Sequence, residues 1–327
     1  MAIRRRVVTV IRPAGISHRA TSPGRTVFLV NPASAGGTTG KRWPEIAHRA
    51  AARGLDGDAL ISERPGQLGE LAAEAVRGGA TRLVIVGGDG SVNEVVNGIV
   101  GVEKPELAVI PRGTGWDFVR TFGIPRRVEE AVAVALNGAV RAVDLGRASY
   151  RAWDGSEAEA VFANVASAGM SGAIAKRANE TTKALGGRAS YLWALFAVFA
   201  RWSANEMHVT VDGEERHGPM FDVVVGNGRF FGGGMKICPE AEPDDGLLDV
   251  VTIGDVTKRD LVTTMPRIYR GTYLPHPKAE LLRGTTVSVD SEATVPIELD
   301  GEQPGTTPAR FKALPGRLRL RVPASRR

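Results

Sequence analysis

Arg82–Val86 (RLVIV) runs directly into Gly87-Gly88-Asp89-Gly90-Ser91, and Val92–Val100 (VNEVVNGIV) resumes at once with the spacing of a helix. An apolar, β-branched run without alternation predicts a strand covered on both faces, as in a parallel sheet. The glycines after it let backbone N–H groups approach phosphate oxygens without a Cβ in the way, and the helix N-terminus adds the positive end of its dipole. Asp89 is placed to reach a Mg²⁺ bridging phosphates, and Ser91 offers a helix cap and a hydroxyl. The same residues also read as a plain glycine-rich strand-to-helix turn with a capping serine, because short glycine motifs recur by chance.

The pattern extends in both directions. Thr26–Val30 (TVFLV), Asp58–Ile61 and Leu107–Ile110 (LAVI) read as further strands, and Trp43–Arg53, Leu68–Arg77, Ser91–Val100 and Val128–Asn137 as helices between them. Strands alternating with amphipathic helices predict an open parallel sheet with helices on both faces. Directly after LAVI comes Pro111-Arg112-Gly113-Thr114-Gly115-Trp116-Asp117-Phe118-Val119-Arg120, a second glycine turn that opens a helix. Ligands of such sheets bind beyond the carboxyl ends of the strands, so the two turns are expected to converge on one nucleotide.

Past Gly138 the grammar changes. Val140–Leu145, Ala158–Val165, Met207–Val211, Met220–Val225, Leu248–Ile253, Ala279–Leu282, Thr286–Val289, Val295–Leu299, Arg310–Ala313 and Arg317–Val322 read as strands separated by turn residues, which predicts an antiparallel sandwich. Helices are expected at Ala173–Lys183, Arg188–Ser203 and Thr257–Arg270. The chain therefore divides into a basic tail without fixed structure over residues 1–24, an α/β nucleotide-binding domain over 25–138 and a β-sandwich domain over 139–323. Two cores are the normal outcome for 327 residues.

A single cysteine, Cys238, excludes an internal disulfide and a multi-cysteine zinc site, which fits a cytoplasmic protein. The most apolar stretch, Tyr191–Ala200, is far shorter than the ~20 residues of a membrane span. Residues 1–44 and 303–327 together hold 15 Lys and Arg and no acid, while the middle carries 27 basic against 36 acidic residues. Basic ends on an acidic body suit peripheral attachment to an anionic membrane surface. No basic-aromatic interleaving or reader motif supports a nucleic-acid partner. A homodimer stays open.

Taken together, these blocks resemble the diacylglycerol kinase catalytic family, which includes bacterial lipid kinases and sphingosine kinases. The resemblance spans about Thr26 to Val322. It rests on Asn31-Pro32 with the loop Ala33-Ser34-Ala35-Gly36-Gly37, on the block Gly87 to Gly98 with Asn93 and Glu94, and on Pro111 to Arg120. It implies an N-terminal fold like that of NAD kinases and phosphofructokinases, and transfer of the ATP γ-phosphate to a lipid hydroxyl with Mg²⁺. Position by position it implies nucleotide contacts at Asn31, Ser62, Gly87, Gly88, Asp89, Gly90, Ser91, Val92, Asn93, Glu94, Gly113 and Thr114, with Asp89 also on metal. Trp116 departs from the asparagine usual there, and tryptophan donates only one hydrogen bond.

Two further segments extend the resemblance. Gly232–Pro239 followed by Ala241–Asp249 looks like the family's glycine-rich strand and D-G-x-L-D segment, which implies a second Mg²⁺ on Asp245 with main-chain oxygens of Glu242 and Leu247. The residues alone also read as an Asp-Asp-Gly turn. Leu299-Asp300-Gly301-Glu302 looks like the catalytic D-G-E element, with one carboxylate taking the proton of the attacking hydroxyl and the other orienting it. The tripeptide Asp212-Gly213-Glu214 shows how ordinary such a sequence is, and it reads as a hairpin turn. Lys236 and Arg112 are candidates for charge stabilisation. The helix with Trp193, Phe196, Phe199 and Trp202 reads first as core and second as a lipid entrance. Competing readings are a kinase of the same superfamily with a soluble acceptor, and a relative that binds nucleotide or lipid without catalysis.

Overall fold

The computed structural model describes residues 24–102, 104–175, 198–199 and 201–324; the expected tail, Gly24 excepted, and most of the helices expected over 173–183 and 188–203 lie outside them. The described residues form two compact units, one within the spans Met1–Gly113, Phe122–Ala142 and Leu318–Arg327, the other within Thr114–Thr121 and Val143–Arg317.

In the first unit the apolar runs become β1 (Arg25–Val30), β2 (Asp58–Ile61), β3 (Ala80–Gly87) and β4 (Glu106–Pro111), all parallel in the order β2-β1-β3-β4. The helices are α1 (Thr38–Ala51), α2 (Gln67–Arg77), α3 (Asp89–Ile99) and α5 (Val128–Asn137), while the short α4 (Asp117–Thr121) falls in the second unit. Trp43, Ile46 and Ala50 of α1 and Ala131, Val132 and Ala135 of α5 pack over Phe28, Val30, Val84, Val86, Ala108 and Ile110. Leu83 and Ile85 point the other way and are equally buried, with α2 and α3 against that face. Covering both faces is why these strands read as continuous apolar runs. Because β2 and β3 flank β1 on opposite sides, the chain reverses its winding between β1 and β3, and ligands of such sheets bind at that reversal.

The tail end of the last strand, β14 (Gly305–Val322), belongs to the first unit: Arg319 and Leu320 pair parallel with Glu106 and Leu107. The expected division after Gly138 assigned these residues to the sandwich. Glu106 explains the difference, since its carboxylate accepts from Arg82, Arg319 and Arg321. Burial alone would raise this carboxyl, but Arg321 and Arg82 hold it below its ordinary value.

The second unit is a sandwich. One sheet runs β6-β5-β14-β12-β8-β9 and the other β13-β7-β9-β10-β11, the long β9 (Glu214–Gly226) giving its first half to one and its second half to the other. The remaining strands are β5 (Ala139–Ala152), β6 (Glu157–Phe162), β7 (Val165–Gly169), β8 (Asn205–Val211), β10 (Leu248–Gly254), β11 (Ala279–Gly284), β12 (Thr286–Asp290) and β13 (Ile297–Leu299). Ala166, Ala168, Val223, Val225, Ile297 and Leu299 of one sheet meet Val209, Val287, Ala309 and Phe311 of the other. The outer face of the second sheet carries Val165, Val224 and Val251, which join a further core with Phe199, Phe221 and Ile268; Ile268 comes from α6 (Lys258–Arg270), whose capping box is made by Thr257 and Asp260. Phe199 and Trp202 pack in this core, while Trp193 and Phe196 lie outside the described residues. Arg310–Ala313 and Arg317–Val322 form one strand rather than two, and Ala158–Val165 is broken into β6 and β7.

Candidate active site

Asn31 directly follows β1 and Gly87 ends β3, so both stand at the reversal point of the first sheet. The Asn31 side chain donates to the Ser91 hydroxyl at 3.0 Å and accepts from the Ala33 N–H at 3.0 Å. Ser62, just past β2, donates its N–H to the Val30 carbonyl at 3.0 Å and is 7% exposed. The second turn closes on the first: the Arg112 N–H donates to the Gly87 carbonyl at 2.7 Å, and a Cβ on Gly88 would stand 3.1 Å from the Gly113 Cα. The two glycine turns thus meet within the first unit. Thr114, the next residue, is exposed and belongs to the second unit.

Helix α3 begins at Asp89, two residues earlier than expected, with Gly88 as N-cap and no side-chain cap. Ser91 therefore does not cap; it is 2% exposed inside the first turn and accepts from Asn31. Asp89 occupies the first turn, where its carboxylate faces the positive end of the dipole. Beside the turn Arg112 donates to the Thr38 hydroxyl at 3.4 Å, and its buried Nε has no hydrogen-bond partner. Burial and then the neighbouring Arg42 pull this guanidinium below its ordinary value, and the carboxylate of Glu45 offsets them only in part. A desolvated cation next to another cation is an arrangement that an anion relieves.

Other residues of the motif serve the fold. Glu94 accepts the Leu68 N–H at 3.1 Å, satisfying the start of α2. A Cβ on Gly69 would stand 2.7 Å from the Glu94 carbonyl, and one on Gly98 would overlap the Gly69 backbone. Asn97 donates back to the Asn93 carbonyl, and Val92 is buried in the core. The Glu94 and Gly98 positions thus let α2 and α3 pack closely against each other.

In the second unit Leu299-Asp300-Gly301-Glu302 is a two-residue hairpin: Leu299 and Glu302 exchange main-chain hydrogen bonds at 2.8 and 3.0 Å, with φ of 49° at Asp300 and 94° at Gly301. The Asp300 carboxylate accepts three N–H groups, from Ala163 at 2.8 Å, Asn164 at 2.9 Å and Val165 at 3.0 Å. Glu302 is exposed. Asp212-Gly213 repeats the turn, with φ of 46° and 93°, and its carboxylate accepts from the amides and hydroxyls of Thr285 and Thr286. Those hydroxyl and amide donors hold Asp212 at about 2.

The Asp-Asp-Gly turn closes on itself. The Glu242 carbonyl, expected on metal, already accepts from Asp244 at 2.8 Å and Asp245 at 3.3 Å, and Asp245 accepts from the Leu247 N–H at 2.9 Å. Of the three expected ligands only the Glu242 carbonyl is engaged as an acceptor by main-chain N–H groups; the bond from Leu247 uses its N–H, and it takes up one oxygen of the Asp245 carboxylate.

Three residues here escaped the sequence reading. Asp144, 2% exposed, accepts from Gly246 and Gly316, each at 2.7 Å, and so anchors two turns. Asp117 accepts from Arg120 at 2.8 Å and from the Gly233 N–H at 2.7 Å, tying α4 to the glycine-rich loop. Asn164 donates to the Phe230 carbonyl. An acid inside the apolar run Val143-Asp144-Leu145 was the available signal for the first.

Residues 25–148 match the family described as the diacylglycerol kinase catalytic domain, and residues 164–322 match the YegS C-terminal NAD kinase beta sandwich-like domain. A protein named diacylglycerol kinase from Mycobacterium tuberculosis (strain ATCC 25618 / H37Rv) is 30% identical over 302 residues, covering 92% of this chain and 96% of its own. One named probable lipid kinase YegS-like, from Pseudomonas aeruginosa PAO1, is 31% identical over 300 residues, 91% of this chain and 94% of its own. A solved structure of a putative diacylglycerol kinase from Bacillus anthracis str. Sterne superposes with a TM-score of 0.75 at 23% identity, covering 94% of this chain and all of that one. Yeast NADH kinase complexed with NADH superposes at 0.54 with 11% identity, over 93% of this chain and 84% of that one. At these identities the two structures speak to the fold alone.

Proposed function

The chain belongs to the diacylglycerol kinase family, and from that premise we propose that it transfers the γ-phosphate of ATP to a lipid hydroxyl. The observation that carries the reading is the joined pair of glycine turns at the reversal point of the parallel sheet, with the N-terminus of α3, which has no side-chain cap, and the partly desolvated Arg112 beside it. Backbone N–H groups of Gly88, Asp89 and Gly90 bind phosphate oxygens, and Arg112 adds a cation where the transferring group gathers negative charge. Asp89 is the carboxylate that would hold a Mg²⁺, which in such reactions neutralises phosphate charge. Glycine at 88 lets the two turns meet, a Cβ there standing 3.1 Å from the Gly113 Cα, and a Cβ on Gly90 would meet nothing within 4 Å, so the start of α3 has room for a phosphate chain. No step is routed through the turn at Asp245.

On the acceptor side, the Asp300–Glu302 turn supplies two carboxylates, one to accept the hydroxyl proton and one to orient the hydroxyl. Asp300 is fixed by its three amides and Glu302 is the exposed member. Among the described residues no helix is long and apolar enough to cross a membrane. In this reading the lipid is met at a surface, and the basic ends favour an anionic one. The test is incubation of the protein with labelled ATP and a total lipid extract: a labelled lipid that disappears in Asp89→Asn supports the reading, and label found only in water-soluble products overturns it.

A further inference from the structure

Two carboxyl groups that the proposed reaction does not use lie buried beneath the Asp300–Glu302 turn. Glu298 is 4% exposed and Asp222 is 3% exposed. Glu298 pairs across β13 and β7 with Ser167, and Asp222 pairs across β9 and β7 with Gly169. Ser167 and Gly169 are two apart on a strand, so both acids stand on the same face of the sheet. Ser167 donates to Glu298 at 3.2 Å, and Ser171 donates its hydroxyl and its N–H to Asp222. The other Glu298 oxygen accepts the N–H of Gly301, the central residue of the turn. Asp222 Oδ1 has no hydrogen-bond partner, and the missing side chain of Gly169 leaves its place.

Of the elements packed there, β7 contributes Ser167, the helical segment 170–175 contributes Ser171, and the hairpin contributes Asp300. Among the described residues no Lys, Arg or His forms an ion pair with either acid. Two buried carboxylates with no cation among the described residues do not both stay ionised in such a place. Burial raises both, Asp222 to about 7 and Glu298 to about 8, with Asp300 and Asp222 adding like-charge repulsion on Glu298.

We propose that Asp222 and Glu298 form a proton-holding acid pair that positions the Asp300–Glu302 turn through Gly301, and that loss of the last proton loosens the turn. Both are positioning residues, since they act through the hairpin. The effect on turnover rests on the reading that the turn carries the acceptor-side carboxylates; the effect on stability does not. The folded pair binds protons that the unfolded chain has already released, so stability falls as pH rises toward and through the folded values. Turnover falls on the same alkaline limb.

The test follows the thermal unfolding midpoint and, separately, kcat and KM across pH 5 to 9.5 for the full chain and for Glu298→Gln, Asp222→Asn and Glu298→Ala. Gln keeps an acceptor for Gly301 and removes one titrating group. Glu298→Gln and Asp222→Asn should each flatten the alkaline fall of the midpoint and abolish the alkaline limb of kcat, because a pair with one neutral member is never doubly charged, with KM for ATP unchanged. Glu298→Ala should lower kcat at every pH, a loss that Gln rescues. A Glu298→Gln midpoint that falls with pH as the parent does would overturn the pair. A flattened midpoint with an unmoved kcat profile would overturn the positioning role. If no lipid is phosphorylated at any pH, the kinase reading fails while the unfolding profiles still decide whether the pair exists.

Discussion

Asp212 and Asp300 occupy the same turn with the same left-handed φ and the same kind of job, a carboxylate accepting N–H groups from a neighbouring strand. Local geometry does not distinguish them; membership of the family motif does. Asp212, held at about 2, contributes stability that is present above its unfolded value of about 4 and is lost as pH falls through the folded one. Asp212→Ala should therefore remove part of the acid limb of the unfolding midpoint between about pH 4 and 2 and leave transfer at pH 7 intact. Asp89→Asn should do the reverse, lowering kcat by at least about 10²-fold with an unchanged midpoint, and near-normal turnover would remove the turn from the mechanism. Trp116 has φ 63°, where a bulky side chain costs about 1–3 kcal/mol and asparagine is better tolerated. Trp116→Asn should raise the midpoint and change KM for ATP more than KM for the lipid; the opposite split would place Trp116 on the acceptor side.

At the scale of elements, α2 and α3 meet through Gly69 and Gly98, and a methyl group at Gly98 has the Gly69 backbone in its place. Gly98→Ala should destabilise the protein by about 1–3 kcal/mol, read in denaturant unfolding, and should shift the start of α3 enough to raise KM for ATP. A neutral effect on stability would show that the helices can move apart freely. The sequence block from Gly87 to Gly98 was legible as a glycine turn from strand into helix because glycine, acid and helix start are adjacent in the chain. That Glu94 and Gly98 serve α2 was not legible, since Leu68 and Gly69 are brought there only by the packing of two helices on one sheet face.

For the molecule as a whole, charge illustrates the limit of reading along the chain. Of the basic C-terminal residues, Arg319 and Arg321 are spent on Glu106, and Arg25 near the other end pairs with Asp58 at 3.1 Å. Membrane attraction of about 1 kcal/mol per residue is therefore expected from fewer cations than the count suggests. Deleting residues 2–24 should weaken binding to anionic vesicles at low salt and spare activity on a short-chain acceptor; equal sedimentation of both proteins, or binding indifferent to salt, would leave the segment without that role. By itself the sequence determined the parallel sheet, the antiparallel sandwich and the two glycine turns, because periodicity and turn chemistry are local and are written in consecutive residues. Only the tertiary structure decided that the end of β14 completes the first sheet, that Asp144 anchors the Asp-Asp-Gly turn, and that Asp222 and Glu298 share a buried face. Each of these joins residues far apart in the chain, and a buried charge reveals its partners, or its lack of them, only once the strands have paired.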